Sequence, residues 1–257
     1  MEGAIGIFDS GLGGLTVLKE ARKLLPNQNF IYFGDTLRVP YGNRSREEII
    51  KFALEIVDFL MARQVGLLVI ACNTIDSAAR EVIEDQVDIP VLGVIKAGAE
   101  LAIKTSRQGR LGLIATRATV ESGAYARRLA ELADCQLYSQ AIPEFVEIVE
   151  SGDKSKLGEL MEEKLGPINR SGIDSLILGC THFPALEQEI RGFLREDIEL
   201  VNPALGVAQQ LRELVGQDAS GQARVDYYVS SDPEGFRKIG EKILGQKIES
   251  IEEVSLG

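Results

Sequence analysis

The sequence predicts an α/β protein of two pseudosymmetric lobes, each a mainly parallel sheet flanked by helices, with a functional cleft between the lobes. Short apolar runs alternate with amphipathic helical patterns along the chain, which is typical of a parallel sheet. Similar features also recur at a nearly constant spacing, because Gly112 follows Gly6 by 106 residues and Cys180 follows Cys72 by 108 residues. An internal duplication of one set of strands and helices is the simplest explanation of that spacing.

The first unit begins with an apolar run, residues 4–8, that predicts a strand leading into a glycine-rich turn and a helix over residues 15–25. A dinucleotide-binding fingerprint would need its third glycine where Thr16 stands, and the turn has no Gly-Lys-Ser/Thr sequence for a phosphate loop. Nucleotide binding at this turn is therefore disfavoured.

The rest of the first unit follows the same alternation. Residues 29–35 predict a second strand, and Ser45 and Glu48 have the spacing of a capping box. The helix that begins there has one apolar face, formed by Ile49, Ala53, Ile56, Val57 and Leu60. A strand that ends at Cys72, a helix over about residues 77–84 and a strand over residues 89–95 complete the unit.

The second half repeats these features and ends in a tail. The strand-like runs of the first half have counterparts at residues 110–120, 176–182 and 198–204. The tail predicts a helix over 207–214, a polar turn over 218–222, the strand RVDYYVS and the helix PEGFRKIGEKILG. We expect residues 1–95 and 206–257 to form the first lobe and residues 96–205 to form the second.

Composition excludes several classes of function. The 257 residues are 45% hydrophobic and carry a formal net charge of -11, and no stretch is apolar for long enough to predict a membrane span. The negative charge disfavours binding to nucleic acid or to an anionic membrane surface, because both depend on clustered Lys and Arg. The beginning of the chain does not resemble a signal peptide, so we expect a cytoplasmic protein.

Three cysteines, Cys72, Cys135 and Cys180, favour reduced thiols over a disulfide framework. Cys72 and Cys180 each end an apolar run and precede a predicted helix, and His182, the one histidine of the chain, follows Cys180 by two residues. A helix start and an imidazolium both stabilise a thiolate, so we expect thiol pKa values lowered from about 8.5 toward neutrality. Cys135 has no such neighbours and is interpreted as a packing residue.

Other interpretations of the two strand-end cysteines remain open at this level. Each could be a small buried hydrophobic side chain, which is the commonest role of a free cysteine. Zinc binding is less favoured, because Cys72 and Cys180 lack partners at the close spacing of zinc ligands, and we expect no metal. A Cys-His hydrolase would leave the second cysteine without a role.

Several polar residues lie beside these strand ends. Asp9 follows the first strand, where it could cap the glycine turn or assist a proton transfer. Ser10, Asn73, Thr74 and Thr181 supply hydroxyl, amide and backbone N–H groups suited to binding a carboxylate. Glu150 could equally be a solvated residue at a helix end. Each alone is more often a turn or cap residue, and only their convergence indicates a site.

Taken together, these stretches resemble the glutamate racemases, which belong to a wider group of cofactor-independent aspartate and glutamate racemases. The resemblance covers nearly the whole chain and is carried by IGIFDSGLGGLTVL, IYFGDTLRVPYGNRS, LVIACNT, ATRATVESGAY, FVEIVESG and LILGCTHFPAL. It implies an active site between two α/β lobes, no cofactor, a homodimer, and D-glutamate made for bacterial cell-wall peptidoglycan. An aspartate racemase and a non-catalytic protein that binds an acidic amino acid are the alternatives.

The resemblance also implies roles for individual residues. Cys72 and Cys180 match the two acid/base thiols, with Asp9 and His182 as assisting residues and Glu150 as a further acidic residue. The positions that match substrate-contacting motifs are Asp9, Ser10, Tyr41, Gly42, Asn73, Thr74, Thr119, Thr181 and His182. The chain departs from the usual pattern at Ile75-Asp76, where Ala-Ser is common, and at Lys96-Ala97, where Glu-Pro is frequent. These departures leave the matched catalytic set intact.

Overall fold

The structure, a computed structural model, describes residues 3–216 and 223–256; the polar turn predicted at 218–222 lies outside these residues. Within them, the strands are β1 Ile5–Asp9, β2 Phe30–Gly34, β3 Leu67–Ile70, β4 Val91–Gly93, β5 Arg110–Ala115, β6 Gln136–Ala141, β7 Ser175–Gly179, β8 Glu199–Val201, β9 Val225–Val229 and β10 Glu252–Glu253. The α-helices are α1 Leu15–Leu24, α2 Arg46–Met61, α3 Asn73–Gln86, α4 Val94–Thr105, α5 Arg117–Glu121, α6 Ala124–Leu132, α7 Glu144–Ser151, α8 Leu157–Arg170, α9 Glu187–Phe193, α10 Pro203–Val215 and α11 Pro233–Leu244. Short 3-10 turns cover Tyr41–Asn43 and Phe183–Leu186.

The strands form two parallel sheets with the same internal order. The first sheet runs β10-β9-β2-β1-β3-β4, and the second runs β6-β5-β7-β8. Every strand pair in the described residues is parallel. The order β2-β1-β3-β4 therefore recurs as β6-β5-β7-β8, as a duplicated unit requires. The predicted α/β fold of two mainly parallel sheets flanked by helices is confirmed.

The tail adds its two strands to the first sheet, because β9 pairs with β2 and β10 pairs with β9. The first sheet thus takes strands from both ends of the chain, whereas the second takes residues 110–201 only. The lobe boundaries at residues 95 and 206 remain a prediction. None of the helices in the described residues is long and apolar enough to cross a bilayer.

The capping box of α2 forms as its sequence predicts. The Ser45 hydroxyl accepts a hydrogen bond from the Glu48 N–H at 3.2 Å, and the Glu48 carboxylate accepts one from the Ser45 N–H at 3.0 Å. These contacts satisfy two backbone donors that a helix start would otherwise leave unpaired. The predicted apolar face of this helix is its buried face.

Two local predictions around the third and fourth strands are wrong. Helix α3 begins at Asn73 rather than near residue 77, so Cys72 is its N-cap residue. The strand predicted over residues 89–95 shortens to β4, because Val94 and Ile95 already belong to helix α4, which the sequence did not predict. A short apolar run fits a buried strand or a buried helix start equally well.

Helix α4 packs into the hydrophobic cores of both sheets. Val94 and Ala97 lie in the cluster that surrounds β1 and α1 of the first sheet. Ile95, Ala99 and Ala102 lie in a cluster built on β5 and β7 of the second sheet. Because successive residues of one helix serve two cores, α4 fixes one half of the molecule against the other.

The contact between α4 and α10 depends on the absence of a side chain at Gly206. A Cβ atom at this position would lie 2.6 Å from the carbonyl oxygen of Ala97. Backbone cannot move away as a flexible side chain can, so only glycine allows this close approach.

We expect Gly206→Ala to lower the free energy of unfolding by about 1–3 kcal/mol, because the new methyl group forces α10 away from α4. Urea denaturation followed by circular dichroism measures the change. The matched control is Gly192→Ala in α9, where a Cβ atom would meet no atom within 4 Å. That control should be neutral or stabilising, by at most about 1 kcal/mol. Equal stability of the two variants would contradict the role given to Gly206.

Candidate active site

The two strand-end cysteines lie at equivalent places in the two sheets. Cys72 follows β3 and caps α3, and Cys180 follows β7, the counterpart of β3. Both are buried, each with 6% of its surface exposed. Parallel strands end at the same edge of their sheet. The edge of the first sheet that carries Cys72 therefore also carries Asp9, the last residue of β1.

The Cys72 thiol lies in a buried polar environment made by the end of β1. The Oγ atom of Ser10 is 3.4 Å from its sulfur atom. Burial raises the pKa of Cys72 to about 12, and the negative charge of Asp9 adds to the shift while the hydrogen bond from Ser10 opposes it. The expected lowering toward neutrality is therefore wrong for Cys72, because desolvation outweighs the helix start.

The Cys180 thiol has an imidazole neighbour. Its sulfur atom lies 3.9 Å from Nδ1 of His182, and Nε2 of His182 lies 3.3 Å from a carboxylate oxygen of Glu150. The Nε2 contact lies outside hydrogen-bond geometry, so we treat it as an ion pair. Glu150 is itself half-exposed, near the end of α7.

His182 is charged at neutral pH in this environment. Burial alone would lower its pKa, but Cys180, Glu150 and Asp9 together raise the pKa of His182 to about 10. An imidazolium beside the Cys180 sulfur can donate a hydrogen bond to a thiolate. The predicted group of Cys180, His182 and Glu150 is thus brought together.

Asp9 joins the two halves of the site. Its side chain is fully buried, and one carboxylate oxygen accepts a hydrogen bond from the Gly11 N–H at 2.8 Å. The other oxygen lies 3.4 Å from the hydroxyl of Thr181, which follows β7 in the second sheet. Burial raises the pKa of Asp9, although the charge of His182 and the backbone N–H groups of Gly11 and Gly14 oppose that shift.

The glycine turn after β1 touches the loop after β7 directly. A Cβ atom at Gly13 would lie 2.2 Å from Oγ1 of Thr181 and 2.9 Å from Nδ1 of His182. In addition, the hydroxyl of Thr16 lies 3.4 Å from the Thr181 carbonyl oxygen. The absence of a side chain at Gly13 therefore lets the turn after β1 pack against the side chains of Thr181 and His182.

The first turn of α3 contacts the second sheet through side chains. The hydroxyl of Tyr125 donates to the Asn73 side-chain oxygen at 2.8 Å. The hydroxyls of Thr74 and Thr116 lie 3.2 Å apart, and those of Thr116 and Thr119 lie 3.0 Å apart. Asn73, Thr74 and Thr119 thus lie together at the boundary between the two sheets.

The turn Tyr41–Asn43 also faces this boundary. A Cβ atom at Gly42 would lie 3.7 Å from the Thr116 side chain. The Tyr41 hydroxyl donates to the buried carboxylate of Asp35, which also accepts from Ser230 at 2.6 Å. The Tyr41 hydroxyl is therefore occupied within the protein, and the backbone of its turn faces the second sheet.

Sequence reasoning missed Thr116, Tyr125 and Asp35. One of them left a signal, because Thr116 follows Ser10 by 106 residues, the offset that relates Gly112 to Gly6. Ser10 contacts Cys72, and Thr116 contacts Thr74 two residues further along. The repeat could therefore have identified Thr116. The contacts of Tyr125 with Asn73 and of Asp35 with Ser230 join residues distant in sequence, for which spacing gives no signal.

Two cavities lie near the first turn of α3. A cavity of about 10 Å³ lies next to Cys180, Asn73 and Thr181, which is scarcely room for one water molecule. A larger cavity of about 530 Å³ is lined by residues of both halves, among them Thr74, Asp76 and Arg128, and neither strand-end cysteine lines it.

Neither the third cysteine nor a metal-binding cluster contributes to this site in the residues that the structure describes. Cys135 is partly buried and packs against the β5 cluster, in agreement with its interpretation as a packing residue. Within residues 3–216 and 223–256, no group of three or more His, Cys, Asp or Glu side chains is placed to hold a metal ion.

The fold and the site thus define an α/β protein in which each of two duplicated parallel sheets contributes one buried thiol with its own polar partners. The chain belongs to the Asp/Glu/hydantoin racemase family, whose sequence pattern matches residues 16–211. The class expected from the sequence, an isomerase that acts on amino acids, is thereby confirmed.

Individual relatives are similar to this chain over nearly its full length, in sequence and in structure. The chain is 44% identical to the glutamate racemase of Neisseria gonorrhoeae, over 98% of this chain and 97% of the relative. The crystal structure of a glutamate racemase isoform from Bacillus anthracis has a TM-score of 0.94 at 36% identity, covering 99% of this chain and 98% of that one. A Francisella tularensis glutamate racemase, solved in complex with D-glutamate, has a TM-score of 0.92 at 36% identity, with coverage of 99% and 98%.

We expect His182 to titrate with a pKa of about 10. Because it is the one histidine of the chain, its ¹⁵N imidazole resonances can be followed by NMR without assignment. Glu150→Gln should lower that pKa, since the variant removes a negative charge next to the imidazolium. The control is Glu147→Gln, an exposed residue of the same helix, which should leave the titration unchanged. A His182 pKa near 6.5 in the parent protein would contradict this view of the site.

Proposed function

We propose that this protein interconverts L-glutamate and D-glutamate by a two-base proton transfer between Cys72 and Cys180. One observation carries the proposal: two buried thiols occupy equivalent strand ends of duplicated sheets. Glutamate as the substrate is supported by the relatives, which are named glutamate racemase, and by the D-glutamate in the Francisella tularensis structure.

In the proposed reaction one thiolate removes the α-proton from one face of glutamate, and the opposite thiol delivers a proton to the other face. Reversal of the configuration at Cα needs an acid and a base on opposite sides. A duplicated fold supplies such a pair, because each half contributes the same strand end to one cleft. The reverse reaction exchanges the roles of the two thiols.

The two sides are chemically unequal. The His182 imidazolium, 3.9 Å from the Cys180 sulfur, can stabilise a thiolate there. Burial raises the pKa of Cys72 to about 12, so this group holds its proton when no substrate is bound. We therefore propose that, in one direction, Cys180 is the base that removes the α-proton and Cys72 is the acid that supplies the new one. This turnover leaves Cys72 as the thiolate, which is the base for the reverse reaction.

The remaining polar groups would hold the substrate. The first turn of α3 presents the N–H groups of Asn73 and Thr74 at a helix start, where a carboxylate is stabilised. The buried carboxylate of Asp9, between Cys72 and the His182 loop, is suited to the substrate ammonium group. We propose that Ser10, Thr119 and Thr181 complete these contacts, together with the backbone of the turn at Tyr41 and Gly42.

The α-proton of an amino acid is far less acidic than a thiol, and the site must close that gap. Hydrogen bonds to the substrate carboxylate lower the energy of the carbanion-like transition state. Exclusion of water strengthens them, and the burial of both thiols supports such exclusion. Delivery of the second proton as the first is removed avoids a free carbanion. The scheme uses no cofactor as an electron sink.

The cellular assignment follows from the same proposal. D-glutamate is a component of bacterial cell-wall peptidoglycan, and we propose that the product enters its synthesis. We also propose a cytoplasmic homodimer, as the resemblance to glutamate racemases implies. We propose that residues 1–95 with 206–257 form one lobe and residues 96–205 the other, which the division of the strands into two sheets supports.

We expect Cys72→Ser and Cys180→Ser each to slow racemisation of glutamate at least a hundredfold, about the lower bound for loss of a general acid or base. The matched control is Cys135→Ser, which should keep the parental rate because Cys135 lies in a packing cluster. Polarimetry with L-glutamate, D-glutamate and L-aspartate measures the rates.

Each outcome separates the proposed function from its alternatives. Faster turnover of L-aspartate than of L-glutamate would favour an aspartate racemase. Binding of glutamate without turnover by the parent protein would favour a non-catalytic binding protein. Parental rates in either strand-end variant would refute the two-thiol mechanism.

A further inference from the structure

A buried carboxylate next to the Cys72 loop has no part in the reaction proposed above. Asp76 lies in the first turns of α3, four residues after Cys72, and its N–H donates to the Cys72 carbonyl oxygen at 2.9 Å. Its side chain has no exposed surface. Burial of a carboxylate is costly unless hydrogen bonds or charges compensate, so its partners define its role.

The main partner of Asp76 is the start of another helix. One carboxylate oxygen accepts a hydrogen bond from the Ile95 N–H at 2.7 Å, in the first turn of α4. Helix α4 has no side-chain cap of its own, because its N-cap residue is Gly93. Asp76 therefore caps α4 from a neighbouring helix and places a negative charge at the positive end of its dipole.

Two further features hold this contact in place. A Cβ atom at Gly93 would lie 2.1 Å from one oxygen of the Asp76 carboxylate, so the carboxylate occupies the space of a missing side chain. The Arg80 guanidinium lies 3.5 Å from Asp76 and donates to the carbonyl oxygen of Val91 at 3.3 Å. Asp76 and Arg80 together clasp the corner between β4 and α4.

This clasp joins the catalytic loop to the element that both cores share. Cys72 caps α3, and α4 packs through Ile95 and Ala99 on the core of the sheet that ends in Cys180. The hydrogen bond between Asp76 and Ile95 is therefore one of the buried contacts that link the Cys72 loop to the second core, beside those of Asn73 with Tyr125 and of Thr74 with Thr116. A displacement at that bond would shift the first turn of α4 against α3, between the Cys72 loop and the core of the second sheet.

We infer that Asp76 is a positioning residue for the proposed racemisation, because it holds the first turn of α4 against α3 and so sets where the Cys180 half stands relative to Cys72. The inference rests on the proposed function, because the rate of glutamate racemisation is what its test measures. Displacement of reacting groups by about 1 Å can slow an enzyme about a hundredfold, so loss of the clasp should be visible in the rate.

The test compares Asp76→Ala, Asp76→Asn and the control Asp85→Ala, an exposed acidic residue of the same helix. Rates are measured at 10 °C on protein shown to be folded by circular dichroism. We expect Asp76→Ala to lower kcat in both directions by about a hundredfold. Asp76→Asn should retain most of the activity, because its amide oxygen can still accept from the Ile95 N–H.

A second readout separates positioning from stability. In D2O, a misplaced second thiol should let deuterium enter the remaining L-glutamate more often per inversion than it does in the parent protein. A purely structural role would lower the melting temperature and leave this ratio unchanged. Gly93→Ala should raise the ratio in the same way, since its methyl group displaces the carboxylate, and it should add little to Asp76→Ala.

The outcomes distinguish this inference from the proposed function. A parent protein that neither racemises nor exchanges glutamate would refute the proposed function. An active parent whose Asp76→Ala variant matches Asp85→Ala in rate and exchange ratio would overturn the role of Asp76 alone.

Discussion

The buried carboxylate of Asp9 is the interaction on which the site depends. It accepts hydrogen bonds from its own glycine turn and from Thr181, which lies 172 residues away in sequence and belongs to the other sheet. Its negative charge helps to raise the pKa values of both Cys72 and His182. The glycine turn is constrained by the same contact, because a side chain at Gly13 would collide with Thr181 and His182. One desolvated charge thus connects the two thiol environments.

The two thiols occupy equivalent positions because the fold is duplicated, but the residues around them differ between the two halves. The strand order is the same in both sheets, so Cys72 and Cys180 are equivalent in topology. Their surroundings differ, since Ser10 and Asp9 lie beside one thiol and His182 and Glu150 lie beside the other. A symmetric fold therefore carries two thiols in unequal surroundings. Helix α4 belongs to neither half alone, because its residues pack into the cores of both sheets.

Several strands and the duplication were predictable because they depend on local pattern. Apolar periodicity identified β1, β3 and β7, and the capping box identified the start of α2. Helix α4 was missed because its apolar start continues that of β4. The direction of the Cys72 pKa shift was wrong because it depends on burial by residues distant in sequence. The contact between Asp9 and Thr181 likewise follows from the packed lobes and from no sequence spacing.

The central claim is that two groups on opposite faces of the substrate exchange protons with it. The isotope content of the first product formed from α-protio L-glutamate in D2O, measured by NMR or mass spectrometry, tests this claim most directly. With two bases, the base that removes the α-proton and the acid that supplies its replacement are different groups. The account therefore predicts D-glutamate that carries deuterium at Cα while the remaining L-glutamate keeps its proton. D-glutamate that retains the original proton would require a single base and would contradict the account.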